Sequence, residues 1–349
     1  MSSGGVWSGD VAWGASLAHV PMRFVAQEST CSLLWRLAAA QGVSVDFLLD
    51  DLGQGPQGQR ALEPRLAEVY LSGPALERLG AMMRVPPVRL QRAMPHLRAA
   101  HLLPGGQARW HWPWVPSGGY LVRCCPLCAA SREAGGDVWL VWPDPWRLCA
   151  RHGRFTECAR TGPARAVDVR ALPECVRAHR RRERLERRWG QTGGFLLADA
   201  FAVTGWWWRH APAAVPWRER ARRARLPLLS TGTAWLLIYP EAVALARLLL
   251  RHELDRSASP VQRWGAARAR LREEAAALAN GLGLTVEAWS VPVAEWLARH
   301  HHLDEDRPAA AGGGPAPVRT QAHAGDDAPG SLVDRGCLPW DWTDTSVPV

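Results

Sequence analysis

A chain of 349 residues has room for two or three compact units at about 100–200 residues each, and its 47% hydrophobic content is enough to fill their cores. All the basic charge is arginine, with no lysine, and the net +9 is unevenly spread: residues 105–302 carry +13, whereas residues 303–349 hold eight acidic residues against three arginines. The absence of an apolar run near the ~20 residues that cross a bilayer, and of a basic patch followed by an apolar core at the N-terminus, sets membrane and secretory classes aside. An arginine-rich middle suits nucleic acid or another polyanion, because guanidinium pairs well with phosphate.

Residues 1–20 are rich in Gly and Ser and are expected to be flexible. The pattern over residues 28–41 predicts a helix, with Ser29 or Thr30 as its cap and Leu33, Leu34, Leu37 and Ala38 as its apolar stripe. A second short helix is expected over residues 43–52, entered at Ser44, followed by a glycine-rich loop over 53–59. Residues 74–97 have the layout of a helix-turn-helix. Leu76, Leu79 and Met82 form one face, and Arg84-Val85 breaks it because Val85 precedes Pro86. Pro87 opens the next helix, with Leu90 and Met94 turned inward. Arg89, Gln91 and Arg92 then face outward, as on a recognition helix, and with Arg84 they are candidate nucleic-acid contacts. A plain helical hairpin with a solvated face fits the same pattern.

Further along, residues 177–188 contain seven Arg and two Glu and are expected to be helical, offering Arg180, Arg181 and Arg182 as further nucleic-acid contacts. Trp206, Trp207 and Trp208 read as core and interface packing, and a second arginine cluster spans 218–225. Long helices are expected over 240–254 and 261–279, and another over 286–302. Residues 307–336 are Pro/Ala/Gly-rich and predicted disordered. They lie in an acidic tail that closes on a possible docking motif, Pro339-Trp340-Asp341-Trp342.

The sharpest chemical signal is a pair of short motifs, Cys125-x2-Cys128 and Cys149-x2-His152, separated by twenty residues. Each pair puts two ligands on one tight knuckle, and together they complete a tetrahedral shell of three sulfurs and one nitrogen. Four protein ligands leave no open position, so one structural Zn2+ is expected. The intervening Asp137-Val138-Trp139-Leu140-Val141-Trp142 reads as a zinc-ribbon strand, and Gly153 permits a sharp turn after the last ligand. Cys124 is a rival ligand that should point away from the knuckle. Cys158, Cys175 and His179 lack a matching Cys-x2-Cys partner, so a second site is expected to be degenerate or absent. Eight cysteines used this way point to a reducing compartment.

Two stretches resemble the TniQ family, accessory proteins of heteromeric DNA transposons related to the target selector TnsD. The first runs from Pro21 through Glu28-Ser29-Thr30-Cys31-Ser32-Leu33-Leu34-Trp35-Arg36-Leu37-Ala38. The second is Cys125-Pro126-x-Cys128, a Trp-containing link, Trp146-x2-Cys149-x2-His152-Gly153 and then Cys158. With the helix-turn-helix between them, the likeness covers roughly residues 21–160. It departs at Leu33, where the family has Trp, and at Ala159 and Thr161, where a further Pro and Cys are expected. The resemblance implies a non-catalytic protein that helps direct a transposase complex to its target. It would do so by binding DNA or by bridging to transposase, ATPase or target-recognition proteins.

The expected fold is mainly α with a small zinc-ribbon-like β module. The parts are a flexible N-terminus (1–20), a helical domain with the helix-turn-helix (21–104), a zinc-binding module (105–175), an Arg/Trp-rich helical region (176–302) and the tail (303–349). The expected location is the cytoplasm, on the nucleoid. A stand-alone transcriptional regulator is the alternative. A metal-dependent hydrolase or nuclease is a remote one, resting on His300, His301 and His302 beside Asp304, Glu305 and Asp306; consecutive histidines on a helix diverge, and a helix C-terminus favours them anyway.

Overall fold

The computed structural model describes residues 22–56, 63–113, 116–117, 119–134, 136–158, 166–258 and 264–305. The expected flexible N-terminus, the Pro/Ala/Gly-rich stretch and the closing tryptophans lie outside these residues, as do the side chains of His300, His301 and His302. The chain is mainly helical with a small β module, and it divides into two compact units, Met1–Val167 and Asp168–Val349.

In the first unit, α1 (Thr30–Gln41) begins where Ser29 turns from extended backbone and its hydroxyl accepts the Ser32 N–H. Ser44 caps α2 (Val45–Leu52) in the same way. Leu33, Leu34 and Leu37 meet Leu48, Leu49 and Leu52 in a core that also takes in Leu71, Leu79 and Leu90. Burial of each such side chain contributes about 1.5–3 kcal/mol. Strand β1 (Tyr70–Leu71) pairs antiparallel with β2 (Trp110–His111).

Helix α3 (Gly73–Met83) ends at Arg84, whose left-handed backbone (φ 51°) turns the chain into α4 (Pro87–Ala93). The turn is tight at Gly80: a Cβ there would lie 2.9 Å from the Val85 carbonyl oxygen and 3.2 Å from Pro87 Cγ. Leu90 and Met94 are both buried, as the pattern requires. The second helix stops at Ala93, earlier than the spacing suggests, because Met94 precedes Pro95 and is extended (φ −116°). Residues Pro95–Leu97 continue as a single 3-10 turn.

Strand β3 (Tyr120–Arg123) runs into α5 (Pro126–Ala130) and pairs antiparallel with β4 (Trp139–Trp142). Strands β5 (Trp146–Cys149) and β6 (Arg154–Glu157) form a second hairpin, joined at its edge by β7 (Ala166–Asp168).

Residues 27–29 lie along β4 as an extra strand: Ser29 N–H donates to Trp139 O at 2.8 Å, and Val141 N–H to Gln27 O at 2.8 Å. Here the Glu28–Arg36 segment acquires a physical role. Glu28 is 1% exposed and accepts two 2.7 Å hydrogen bonds from Arg36 Nη1. The Ser32 hydroxyl donates to Glu28 and accepts from the Trp139 N–H. Burial outweighs Arg36 and holds the Glu28 pKa above the ordinary carboxylate value. This segment therefore ties α1 to the β3–β4 hairpin. A second buried polar group, Glu68, meets His96 Nδ1 at 2.9 Å and accepts the Cys31 N–H at 3.1 Å.

The second unit is helical: α6 (Pro173–His210), α7 (Val215–Ala224), α8 (Thr231–Ala258), α9 (Trp264–Asn280) and α10 (Val286–Glu305). Helix α6 is kinked at Gly190 (φ 55°, ψ −133°). Trp207 and Trp208 are buried, and Trp207 Nε1 donates to Trp289 O. Asp199 on α6 accepts the Trp296 Nε1–H at 3.0 Å and anchors α10.

Helix α8 departs from expectation, because Pro240 sits in its interior rather than at its start. Proline lacks the N–H that would bond the carbonyl four residues back, and its ring crowds the preceding turn. The Cys175 thiol donates to the freed Leu236 carbonyl, and Arg220 Nη1 reaches the adjacent Leu237 carbonyl at 2.5 Å. Arg220 also forms two 2.6 Å bonds to Glu241, which accepts from Trp217 as well. With its first turns restored, Thr233–Ala258 is long and apolar enough to cross a membrane, contrary to the expected absence of such a run. Its most apolar stretch is 78% buried by the surrounding protein, which accounts for its composition as that of a core helix.

Candidate metal centre

Cys125 and Cys128 stand at the entrance of α5, where β3 gives way to a proline-led turn. Cys149 closes β5, and His152 lies in the tight turn before β6. That turn is closed by the Gly153 N–H donating to Cys149 O at 2.8 Å, with Gly153 at φ 57°, a conformation open to a residue without Cβ. Two local knuckles on two hairpins thus bring the predicted four side chains together, and their ligand atoms all lie within 4.8 Å of one another. Among the described residues no other Cys/His/Asp/Glu group meets this condition.

The distances identify what kind of cluster this is. His152 Nδ1 lies 3.5, 3.3 and 3.6 Å from the sulfurs of Cys125, Cys128 and Cys149, and Cys128 Sγ is 3.6 Å from Cys149 Sγ. One imidazole nitrogen cannot satisfy three thiols by hydrogen bonding. A tetrahedron built on zinc bond lengths of about 2.3 Å to sulfur and about 2.05 Å to nitrogen has edges of roughly 3.8 Å (S···S) and roughly 3.6 Å (S···N). The donor set and its spacing therefore fit a tetrahedral ion of zinc's size and softness.

Burial, the contact with Cys149 and the nearby Cys125 push the Cys128 thiol up to about 12, so its thiolate form would exist here only with a cation beside it. Cys124 is turned away, as expected. It packs in a small core with Val25, Ala129, Val138 and Leu140, and burial raises its thiol to about 11. Cys175 and His179 have other uses: Cys175 donates to Leu236 O, and His179 Nδ1 lies 2.8 Å from the Tyr239 hydroxyl.

The candidate nucleic-acid residues fall in two places. Arg84, Arg89 and Arg92 are exposed around the α3–α4 turn, while Gln91 is half-buried. On α6, Arg180 and Arg181 are exposed, but Arg182 is turned inward, 7% exposed, with Nε donating to Glu186 at 2.7 Å. A run of three arginines spans different helix faces, and here the third is the one turned toward the core.

No curated protein and no solved structure matches the chain. The family model TniQ matches residues 21–155, a span that opens just before Glu28 and closes just after the four clustered ligands. That match takes in α1, the α3–α4 pair and both knuckles, so residues 21–155 of this chain are similar to the TniQ family.

Proposed function

We propose that this protein is a non-catalytic, zinc-containing component of a DNA transposition system. It helps direct a transposase complex to its target by binding DNA or by bridging to transposase, ATPase or target-recognition proteins. The observation that carries the reading is the TniQ match over residues 21–155. The Cys125/Cys128/Cys149/His152 cluster supports one structural Zn2+ within that span, held by four protein ligands. Zinc would then supply a cross-link between the two hairpins, fixing the sheet on which Glu28 and α1 rest. Arg84, Arg89 and Arg92 on the exposed side of α3–α4 are the contacts offered to DNA or to a protein partner.

The test first reads the neighbouring genes for a transposase and an ATPase, then runs a transposition assay with them, comparing insertion with the wild type and with Arg89→Gln/Arg92→Gln. Targeted insertion that requires this chain supports the reading. Insertion that is independent of it refutes it, and sequence-specific duplex binding with no effect on insertion would favour the transcriptional regulator.

A further inference from the structure

In the second unit, α6 and α8 enclose an open groove of about 630 Å3. Its walls carry Arg181, Arg184 and Arg188 from α6 and Arg247 and Arg251 from α8, all five exposed, with Trp189 beside them. Leu185 and Leu250 form a buried floor. The spacing is that of one face on each helix: 181, 184 and 188 follow a three-then-four step, and 247 and 251 are four apart. Two stripes of positive charge thus face a common apolar floor. Arg251 is paired with Glu274 at 2.6 Å, whereas Arg181, Arg184, Arg188 and Arg247 have no carboxylate partner among the described residues. Trp189 lies at the Gly190 kink, half-buried, with the Arg188 guanidinium 5.5 Å from its ring.

Four guanidinium groups without a carboxylate partner line one groove and repel each other, Arg184 being tied only to the Arg180 carbonyl at 3.2 Å. An anion relieves that repulsion. The groove has the dimensions of a small-ligand site, about 300–1,000 Å3, but it is open and its α6 stripe runs about 10 Å along the helix axis at 1.5 Å per residue. That favours several phosphates in a row over one. A duplex is a stiff rod, with a persistence length of about 50 nm, and would touch only the rim. A flexible single strand can enter, place its phosphates on the arginines and stack a base on Trp189.

We infer that the α6–α8 groove is a binding site for single-stranded nucleic acid, with Arg181, Arg184, Arg188 and Arg247 on the phosphates and Trp189 as the stacking surface. The site lies outside the TniQ segment and extends the nucleic-acid arm of the function proposed above.

The test titrates the full chain into a labelled single strand of about 20 nucleotides, as DNA and as RNA, into the matching DNA duplex, and into a free nucleoside triphosphate. Arg184→Gln/Arg188→Gln/Arg247→Gln should weaken single-strand binding at least tenfold and lower the slope of log K against log salt by roughly 2, at about 0.7 per lost phosphate contact. Trp189→Ala should weaken it roughly tenfold, with Trp189→Phe closer to wild type. Arg218→Gln/Arg225→Gln/Arg272→Gln removes equal charge from exposed positions outside the groove and should have little effect. Thermal midpoints and zinc content accompany each variant, so a folding defect is separable.

A groove triple no weaker than this control overturns the inference, as does wild-type preference for duplex or binding of the free nucleotide alone. Loss of single-strand binding in Arg89→Gln/Arg92→Gln with the groove triple unaffected refutes the groove while leaving the function proposed for the first unit standing. DNA and RNA arms that both respond to the groove triple support it, and their ratio identifies the strand.

Discussion

Arg36→Leu removes the partner of a carboxylate that is almost wholly inside the protein. The pair is 2.7 Å apart, with side-chain exposures of 7% for Arg36 and 1% for Glu28, so neither solvent nor salt screens it. Removing one member of a buried pair costs about 3–5 kcal/mol, most of it the penalty of an uncompensated charge. Glu28 can escape that penalty by taking up a proton. Its pKa already stands above the ordinary value because burial outweighs Arg36, and without Arg36 it rises further. A carboxyl whose folded pKa exceeds its unfolded one binds its proton more tightly in the folded state, so stability is greatest below the unfolded pKa and falls as pH rises through the folded pKa. The cost of Arg36→Leu should therefore be near its full value at roughly pH 8 and shrink to about 1 kcal/mol, the lost hydrogen bonds, at roughly pH 5. Denaturant melts of variant and wild type at both pH values measure it, and comparison at each pH cancels acid effects common to both proteins, any at the candidate metal centre included. The double variant Glu28→Gln/Arg36→Leu should be more stable at roughly pH 8 than Arg36→Leu alone. Equal destabilisation at both pH values would refute the argument, because the missing charge partner would not be its cause.

Four further outcomes follow from the structure. Cys128→Ser or His152→Ala should lower bound zinc, read by elemental analysis, and destabilise the first unit, since metal binding and folding are coupled. Gly80→Ala should destabilise by about 1–3 kcal/mol in chemical denaturation despite alanine's better helix propensity, because its methyl would meet the Val85 carbonyl at 2.9 Å. At His96, burial opposes the charge, but the hydrogen bond and charge of Glu68 prevail and raise the pKa; the stability His96 contributes should be complete below about pH 6.5 and be lost as pH rises through the elevated value, a trend absent in His96→Gln. Cys175→Val should cost about 1 kcal/mol more in the wild type than in a Pro240→Ala background, where the Leu236 carbonyl regains a helix partner; a double-mutant cycle measures the difference.

What was legible in the sequence was what is local. Ser29 and Ser44 could be read as caps because a cap bonds to an N–H three residues away. The four clustered Cys and His residues were legible because each knuckle spans only four residues, leaving the fold to bring two knuckles together. What escaped depends on partners remote in the chain. Pro240 reads as a helix start because proline is favoured there; only the fold shows Cys175, sixty-one residues from Leu236, satisfying the carbonyl that an interior proline frees. Arg182 sits in a run of like charge that conceals which of its members turns inward. The groove joins residues near 185 to residues near 250, and the signal available, Arg247 and Arg251 at a four-residue step, is commonplace on solvated helices.

The strand formed by residues 27–29 also has a consequence for synthesis. Ser32 Oγ and the Trp139 amide that it accepts from are separated by 107 residues. The ribosome needs roughly 5–20 s to add that many, at about 5–20 residues per second. During that interval α1 can pack against α2 and the α3–α4 pair but not against β4, and Glu28 has no sheet to be buried beneath. The Glu28–Arg36 side of the nascent helix therefore stays open until the β3–β4 hairpin emerges, long after the leucine face of the same helix has found its partners.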